Sequence, residues 1–177
     1  MSVNAVQMAA AVNTIANGGV RISPSIIKGS ATTEDGTVVG TDVATESRVV
    51  SEKAAKQTAK MMERVVDPDA GVAPRARVPG YLVAGKTGTA QRVVDGVYGD
   101  STTVSFGGFA PADDPRFTVY VVLHAPKVDG GGGSIAGPAF SKIMGYALSR
   151  YGVPRPAGSP RAFPSSGDRA IPSARAG

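Results

Sequence analysis

The 177-residue sequence contains no cysteine. That removes disulfides, thiolate nucleophiles and sulfur-ligated zinc from the chemistry available to it. A cysteine-free chain suits an oxidising space, but cytosolic proteins share the trait. Tryptophan is absent too, and nowhere do four Lys or Arg residues follow one another. The net charge of +5, from 19 basic and 14 acidic residues, is therefore spread thinly rather than built into a patch. A nucleic-acid partner is not expected from such a surface. No stretch approaches the roughly 20 consecutive apolar residues of a membrane span. The opening MSVNAVQMAAAV lacks the basic flank of a secretory signal and reads as a helix start. There is one histidine and no cluster of His with Asp or Glu, so neither a metal nor a cofactor is expected.

What is present suffices for one domain, with 42% apolar residues to build a core. Asn4 with Gln7 three residues later has the capping-box spacing, and Met8, Val12 and Ile15 recur at helical period, so a helix is predicted over 5–17. Gly18-Gly19 ends it. VRISPSIIKG (20–29) reads as extended, and the polar, Thr-rich 30–46 as a loop or small edge hairpin. Ser51 is the cap of a second helix over 52–66, whose stripe is Ala54, Ala55, Thr58, Met61, Met62, Val65 and Val66, and Asp67-Pro68 stops it. Three strands follow, at about 81–91, 102–111 and 116–125, with Asp113, Asp114 and Pro115 turning between the last two. They predict an antiparallel meander and an α+β fold. DGGGGS (129–134) reads as a flexible loop; it lacks a following Lys-Thr and is no phosphate cradle. Pro138 is expected to open a last helix over 138–151, with Phe140, Ile143, Met144, Ala147, Leu148 and Tyr151 on its apolar face. From 154 to 177 the composition shifts to Pro, Gly, Ser, Ala and Arg, which predicts a disordered tail.

Residues 80–87, GYLVAGKT, fit the phosphate-loop pattern G-x-x-x-x-G-K-[ST]. The context does not. A phosphate loop needs a buried strand before its first glycine, a bare loop across the x positions and a helix opening at Lys-Thr. Here Pro74 and Pro79 spoil the strand, Tyr81–Ala84 look like strand rather than loop, and Gly88 sits where the helix would open. Read as a strand, the stretch puts Thr87 and Thr89 on one face, with hydroxyls about 7 Å apart, and Lys86 and Gly88 on the other. Two hydroxyls beside a cation suit a carboxylate, and Gly88 would let another backbone lie close. An extended peptide could pair with such an edge by main-chain hydrogen bonds. On the residues alone, an ordinary edge strand with a surface lysine and glycine stays equally open.

GKTGTAQ (85–91), SFGGFAP (105–111) and VYVVLHAPK (119–127), taken together and in that order, resemble the C-terminal part of a penicillin-binding protein. There K-T-G is the third motif after S-x-x-K and S-x-N. The opening SVNAVQMAAAVNTIANGGV and the closing GPAFSKIMGYALSRYGV are similar to helices of the class B enzymes of this family, with the cell-division type the nearer. The likeness covers about residues 1–153, as the C-terminal portion of a transpeptidase domain. It implies a partial penicillin-binding/β-lactamase-like fold and a peptidoglycan D,D-transpeptidase. In such an enzyme a serine attacks the D-Ala-D-Ala bond of a stem peptide, an amine of a neighbouring stem resolves the acyl-enzyme, and penicillins acylate the same serine. Carried onto this chain, Lys86 and Thr89 are the catalytic-cleft residues. Lys86 would supply positive charge to the substrate and to the S-x-N serine. Thr87 and Thr89 would hold the carboxylate beside Gly88, and the Thr89 amide would form half of the oxyanion hole. Stem peptides, β-lactams and other cell-division proteins are the implied partners. The parent family is anchored in the cytoplasmic membrane with its catalytic domain outside the cytoplasm.

The motifs that should precede K-T-G have only poor stand-ins. Ser25-Ile26-Ile27-Lys28 fits S-x-x-K, but it follows Pro24, carries two β-branched residues and precedes Gly29. In an extended segment positions i and i+3 face opposite ways, so that lysine could not serve that serine. Ser2-Val3-Asn4 fits S-x-N, but it sits at a helix cap and in reversed order. His124 has no acid or nucleophile beside it in the pattern, and Asp113 and Asp114 are turn formers. The chain therefore reads as the K-T-G half of a transpeptidase domain, inactive alone: a truncated gene model, a split gene or a fragment, or else a non-catalytic module that binds peptides or β-lactams. Its sheet is expected to leave its second face for the other half to cover.

Overall fold

The structure is a computed structural model that describes residues 3–94 and 96–155. Helix α1 (Ala5–Ala16) opens on the expected capping box: Asn4 Oδ1 accepts from the Gln7 amide, and Gln7 Oε1 accepts from the Asn4 amide, each at 2.9 Å. Two small antiparallel pairs follow. Strand β1 (Val20–Ile22) pairs with β4 (Glu46–Arg48), and between them β2 (Ser30–Thr32) pairs with β3 (Val38–Gly40) as a hairpin. Helix α2 (Glu52–Arg64) starts at Ser51, whose hydroxyl accepts from the Ala54 amide at 3.2 Å. It ends two residues earlier than expected. Ala55 and Met62 of its stripe are buried, whereas Met61 is 65% exposed and lies off the packed face.

The main sheet is the predicted meander, β5 (Ala84–Val94), β6 (Val97–Ala110) and β7 (Phe117–His124), in that order, with β5 at an edge. Helix α3 (Gly132–Arg150) packs on one face of it, where Phe106, Ala110, Phe140, Met144 and Leu148 form the larger core with Val83 and Val66. Helices α1 and α2 pack on the other face, around Phe109, Ala84 and Met62 with Val12 and Ile15. The expectation of a bare second face is therefore corrected. The sheet alternates apolar residues to both sides, and the chain's own helices cover both.

Other element boundaries also differ from the sequence reading. Strands β5 and β6 run on as a two-stranded ribbon, paired as far as Val93↔Tyr98 and Val94↔Val97. The Asp95-Gly96 dipeptide between two Val-rich runs is the hairpin signal that would have found it. The larger correction concerns α3, which begins at Gly132 rather than Pro138, so the second half of the presumed loop is helix. The first turn lies so close on its neighbours that only glycine fits at 132 and 133. A Cβ on Gly132 would overlap the Ser105 carbonyl, and one on Gly133 the Val72 carbonyl. Pro138 then sits inside the helix and leaves the carbonyl four residues back, that of Ser134, without its amide partner. Arg75 Nη1, from the short 3-10 turn Pro74–Ala76, reaches that carbonyl at 3.5 Å.

The C-terminal end of α3 is tied down by Tyr81, whose hydroxyl donates to the Val153 carbonyl at 2.7 Å while Arg155 lies 5.8 Å over its ring. Beyond Arg155, the expected tail lies outside the described residues.

The connector between α2 and the sheet is held by Asp67, whose Oδ1 accepts from the Asp69 and Ala70 amides at 3.0 and 3.1 Å. These bonds, and secondarily Arg64 and Arg77, hold its carboxyl below the usual carboxylate range. The folded state thus binds fewer protons here than the unfolded one, so this contribution is present above the ordinary carboxylate value and fades as pH falls through the lowered one. Asp67→Ala should lower the melting temperature at pH 7, and the gap to the parent chain should close in strong acid. Thermal melts of both chains across that pH range check this.

Candidate functional site

The Lys-Thr-Gly-Thr segment lies in the first half of β5, on the sheet's open edge. Its register is Lys86↔Gly107, Thr87↔Phe106, Gly88↔Ser105 and Thr89↔Val104. Phe106 and Val104 are buried, and Phe106 packs edge-on against Phe140 of α3 with centroids 4.7 Å apart. Directly opposed residues share a face. Thr87 and Thr89 are therefore on the α3 side of the sheet, and Lys86 and Gly88 on the side of α1 and α2.

The Lys86 side chain does not stay on its own face. Its Nζ donates to the Thr87 carbonyl at 2.8 Å and lies 3.4 Å from Thr87 Oγ1. The cation thus curls round the strand edge and meets a hydroxyl of the opposite face. A carbonyl reached in this way lies on the unpaired side of β5, and the alternation of an antiparallel ladder turns the Thr89 amide to that same side. One edge consequently carries an ammonium, a threonine hydroxyl and a strand amide, and Lys86 and Thr89 are exposed. Thr89 Oγ1 has a different neighbour, the Gly132 amide at the start of α3, which donates to it at 3.3 Å.

Two glycines bracket Lys86-Thr87 for separate steric reasons. A Cβ on Gly85 would run into the Phe106 ring, and one on Gly88 would overlap Ser105 Oγ. No backbone of this chain lies at the Cβ position of Gly88 among the described residues. What lies against its Cα side is a serine hydroxyl, while the close backbone is that of Gly132, whose Cβ would fall 2.7 Å from the Gly88 carbonyl oxygen. Ser105 and Gly131–Gly132 were not among the site residues read from the sequence. Their signal was a glycine run directly before an apolar helical period, the mark of a helix start pressed against a strand.

The structure does not bring the stand-in motifs to this edge. Ser25–Lys28 follow β1 as an exposed bend, and Ser25 Oγ accepts from the Ile27 amide at 3.1 Å within its own loop. No hydrogen bond joins Ser25 to Lys28 among the described residues. Asn4 is spent as the cap of α1, and Ser2 lies outside the described residues. His124 is exposed, with Nδ1 2.9 Å from Thr103 Oγ1 across β6 and β7. Asp113 and Asp114 lie in the bend before β7.

Helices on both faces of an antiparallel sheet, with Lys-Thr-Gly-Thr on the open edge strand, define the sheet portion of a transpeptidase fold. The chain belongs to the penicillin-binding protein transpeptidase family, since residues 1–145 match the family described as Penicillin binding protein transpeptidase domain. Penicillin-binding protein PbpB of Mycolicibacterium smegmatis is 41% identical over 164 residues, which is 87% of this chain and 25% of that protein. Stage V sporulation protein D of Bacillus subtilis is 41% identical over 157 residues, 86% of this chain and 24% of that protein. Among solved structures, penicillin-binding protein 3 of Mycobacterium tuberculosis complexed with ampicillin is similar at a TM-score of 0.75 and 37% identity, covering 92% of this chain and 37% of that one. The transpeptidase domain of Burkholderia pseudomallei penicillin-binding protein 3 gives a TM-score of 0.71 at 37% identity, over 86% of this chain and 44% of that one. The chain thus spans about a quarter of the length of the curated relatives it matches. No helix among the described residues is long and apolar enough to cross a membrane.

Proposed function

We propose that this chain is the substrate-holding part of a peptidoglycan D,D-transpeptidase, and that β5 binds the carboxylate end of a D-Ala-D-Ala stem peptide. The observation that carries this reading is the convergence of Lys86 Nζ and the Thr87 hydroxyl at an unpaired strand edge, with Thr89 two residues along. A peptide lying along that edge gains main-chain hydrogen bonds, and its terminal carboxylate meets two hydroxyl donors in a positive field. Lys86, Thr87, Gly88 and Thr89 are the substrate-binding residues. Lys86 and Thr89 are also the catalytic ones: Lys86 supplies charge, and the Thr89 amide is one of two oxyanion donors. Losing one such donor raises a barrier by about 2.7–4 kcal/mol.

Penicillins carry a carboxylate beside their strained amide, and monobactams such as aztreonam carry a sulfonate there, an anion of the same charge. Structures similar to this one are described as complexed with ampicillin and with aztreonam, which supports β-lactams as ligands of this edge. Ser25, the S-x-x-K stand-in, is not placed to acylate, and on this reading the chain holds such ligands without opening them. Work outside the cytoplasm, in cell division and beside other division proteins, is the setting this reading implies.

Lys86→Ala should weaken N-acetyl-D-Ala-D-Ala about 10- to 100-fold, the equivalent of one charge-assisted bond worth about 1.5–3 kcal/mol. Titration calorimetry with both chains tests it, and equal affinities would remove Lys86 from the site. The second reading, a reversible peptide- or β-lactam-capturing module with no catalytic parent, is favoured by the isolation of Ser25 from Lys28. It predicts binding as tight in this chain as in any longer protein that contains it.

A further inference from the structure

The Thr89 hydroxyl is held from behind by the first turn of α3. The Gly132 amide donates to Thr89 Oγ1 at 3.3 Å, and no hydrogen bond among the described residues uses the Thr89 proton. A hydroxyl has one proton and two acceptor sites. Once an amide occupies an acceptor site, the proton can no longer point at that amide and must be offered elsewhere. Thr87 differs, because its oxygen faces the Lys86 ammonium at 3.4 Å instead of a backbone amide.

The same turn brings charge. Helix α3 runs over 19 residues, and its first turn contains no acidic residue. Its N-cap, Gly131, makes no side-chain capping bond. Nothing in that turn offsets the roughly half positive charge of a helix N-terminus. A donor chain of amide to hydroxyl to ligand is polarised in one direction along its length.

Only a side-chain-free turn can come this close. A Cβ on Gly132 would overlap the Ser105 carbonyl and fall 3.0 Å from the Gly88 nitrogen, and one on Gly131 would fall 3.3 Å from Thr89 Oγ1. We propose that the Gly132 amide is a positioning group for carboxylate recognition. By fixing Thr89 Oγ1 as its acceptor, it turns the hydroxyl proton outward to the open edge, where a ligand's terminal carboxylate would take it. This rests on the reading of β5 as the carboxylate-binding strand. It adds that discrimination between a free carboxylate and its uncharged amide depends on α3 as well as on β5.

The test uses the whole 177-residue chain, labelled with nitrogen-15. Amide exchange at Gly132 is measured in the parent, in Thr89→Val, which is isosteric but cannot accept, and in Thr89→Ser, which can. Exchange should rise about tenfold in the valine chain, as expected for one lost hydrogen bond, and stay near the parent rate in the serine chain. Each chain and Gly132→Ala is then titrated with N-acetyl-D-Ala-D-Ala and with its C-terminal amide. Gly132→Ala should cut affinity for the acid about tenfold more than affinity for the amide ligand. Unchanged Gly132 exchange in Thr89→Val would overturn the proposal. So would a Gly132→Ala chain that loses both ligands equally, which is what a merely structural role produces. If Gly132→Ala does not fold, the exchange comparison decides alone. If neither ligand binds the parent, the carboxylate reading of β5 fails, and the Gly132–Thr89 contact is still decided by exchange.

Discussion

Truncating Phe140 to alanine should destabilise the chain by about 3–5 kcal/mol, the usual cost of deleting a fully buried ring. Phe140 is 0% exposed in the larger core and meets Phe106 edge-on at 4.7 Å with an interplanar angle of 60°. It also packs over Gly108, where an added Cβ would already lie 3.1 Å from the ring. The surrounding groups are backbone of β6 and the bulky Met144 and Leu148, so the space left by the ring cannot readily close. A domain of this size has only about 5–15 kcal/mol in hand, so the loss is a large share of the total. In a urea titration the midpoint should fall by at least about 1 M, given slopes of about 1–3 kcal/mol per molar. Ile143→Ala, on the same helix but 48% exposed, should fall well short of that. Equal shifts for the two would mean that α3 does not pack as described. The effect reaches the candidate site, because Phe140 helps hold α3, and with it the Gly132 amide, against the sheet.

The sequence carried the parts of this fold whose causes are local. The Asn4–Gln7 box, the Ser51 cap and the β-branched run of β7 each specify their element from within a few residues. The faces of β5 were equally legible, because period two follows from strand geometry alone: Thr87 opposes Phe106, and Lys86 opposes Gly107. What was not legible depends on distant partners. Four glycines in a row have no helical propensity of their own, and what requires glycine at 132 is the distant Ser105 and Gly88 backbone, which leaves no room for a side chain. Pro138 pointed to the wrong helix start for a related reason. Its cost inside α3 is offset by Arg75, 59 residues away from Ser134 in sequence. Lys86 curling to the Thr87 carbonyl was likewise invisible to an alternation rule, since a long side chain can leave its face.

The second large effect is all-or-none. Acylation requires a nucleophile with a base within hydrogen-bond reach, set beside the oxyanion donors. The Ser25 hydroxyl is instead engaged by the Ile27 amide in an exposed bend, and no bond links it to Lys28. The Thr103–His124 pair does join a hydroxyl to an imidazole at 2.9 Å, but it lies off the open edge, on strands β6 and β7. Neither Ser25 nor the Thr103–His124 pair is therefore placed to attack a ligand held at Lys86, Thr87 and Thr89, and the chain should bind without opening a β-lactam ring. The decisive measurement is incubation of the purified chain with a fluorescent penicillin, read by equilibrium fluorescence polarisation and then by denaturing electrophoresis. The expected result is saturable polarisation that N-acetyl-D-Ala-D-Ala competes away and Lys86→Ala weakens, with no fluorescent band after denaturation. A denaturation-resistant adduct, or no saturable binding at all, would contradict the claim that this chain holds the substrate's end without cutting it.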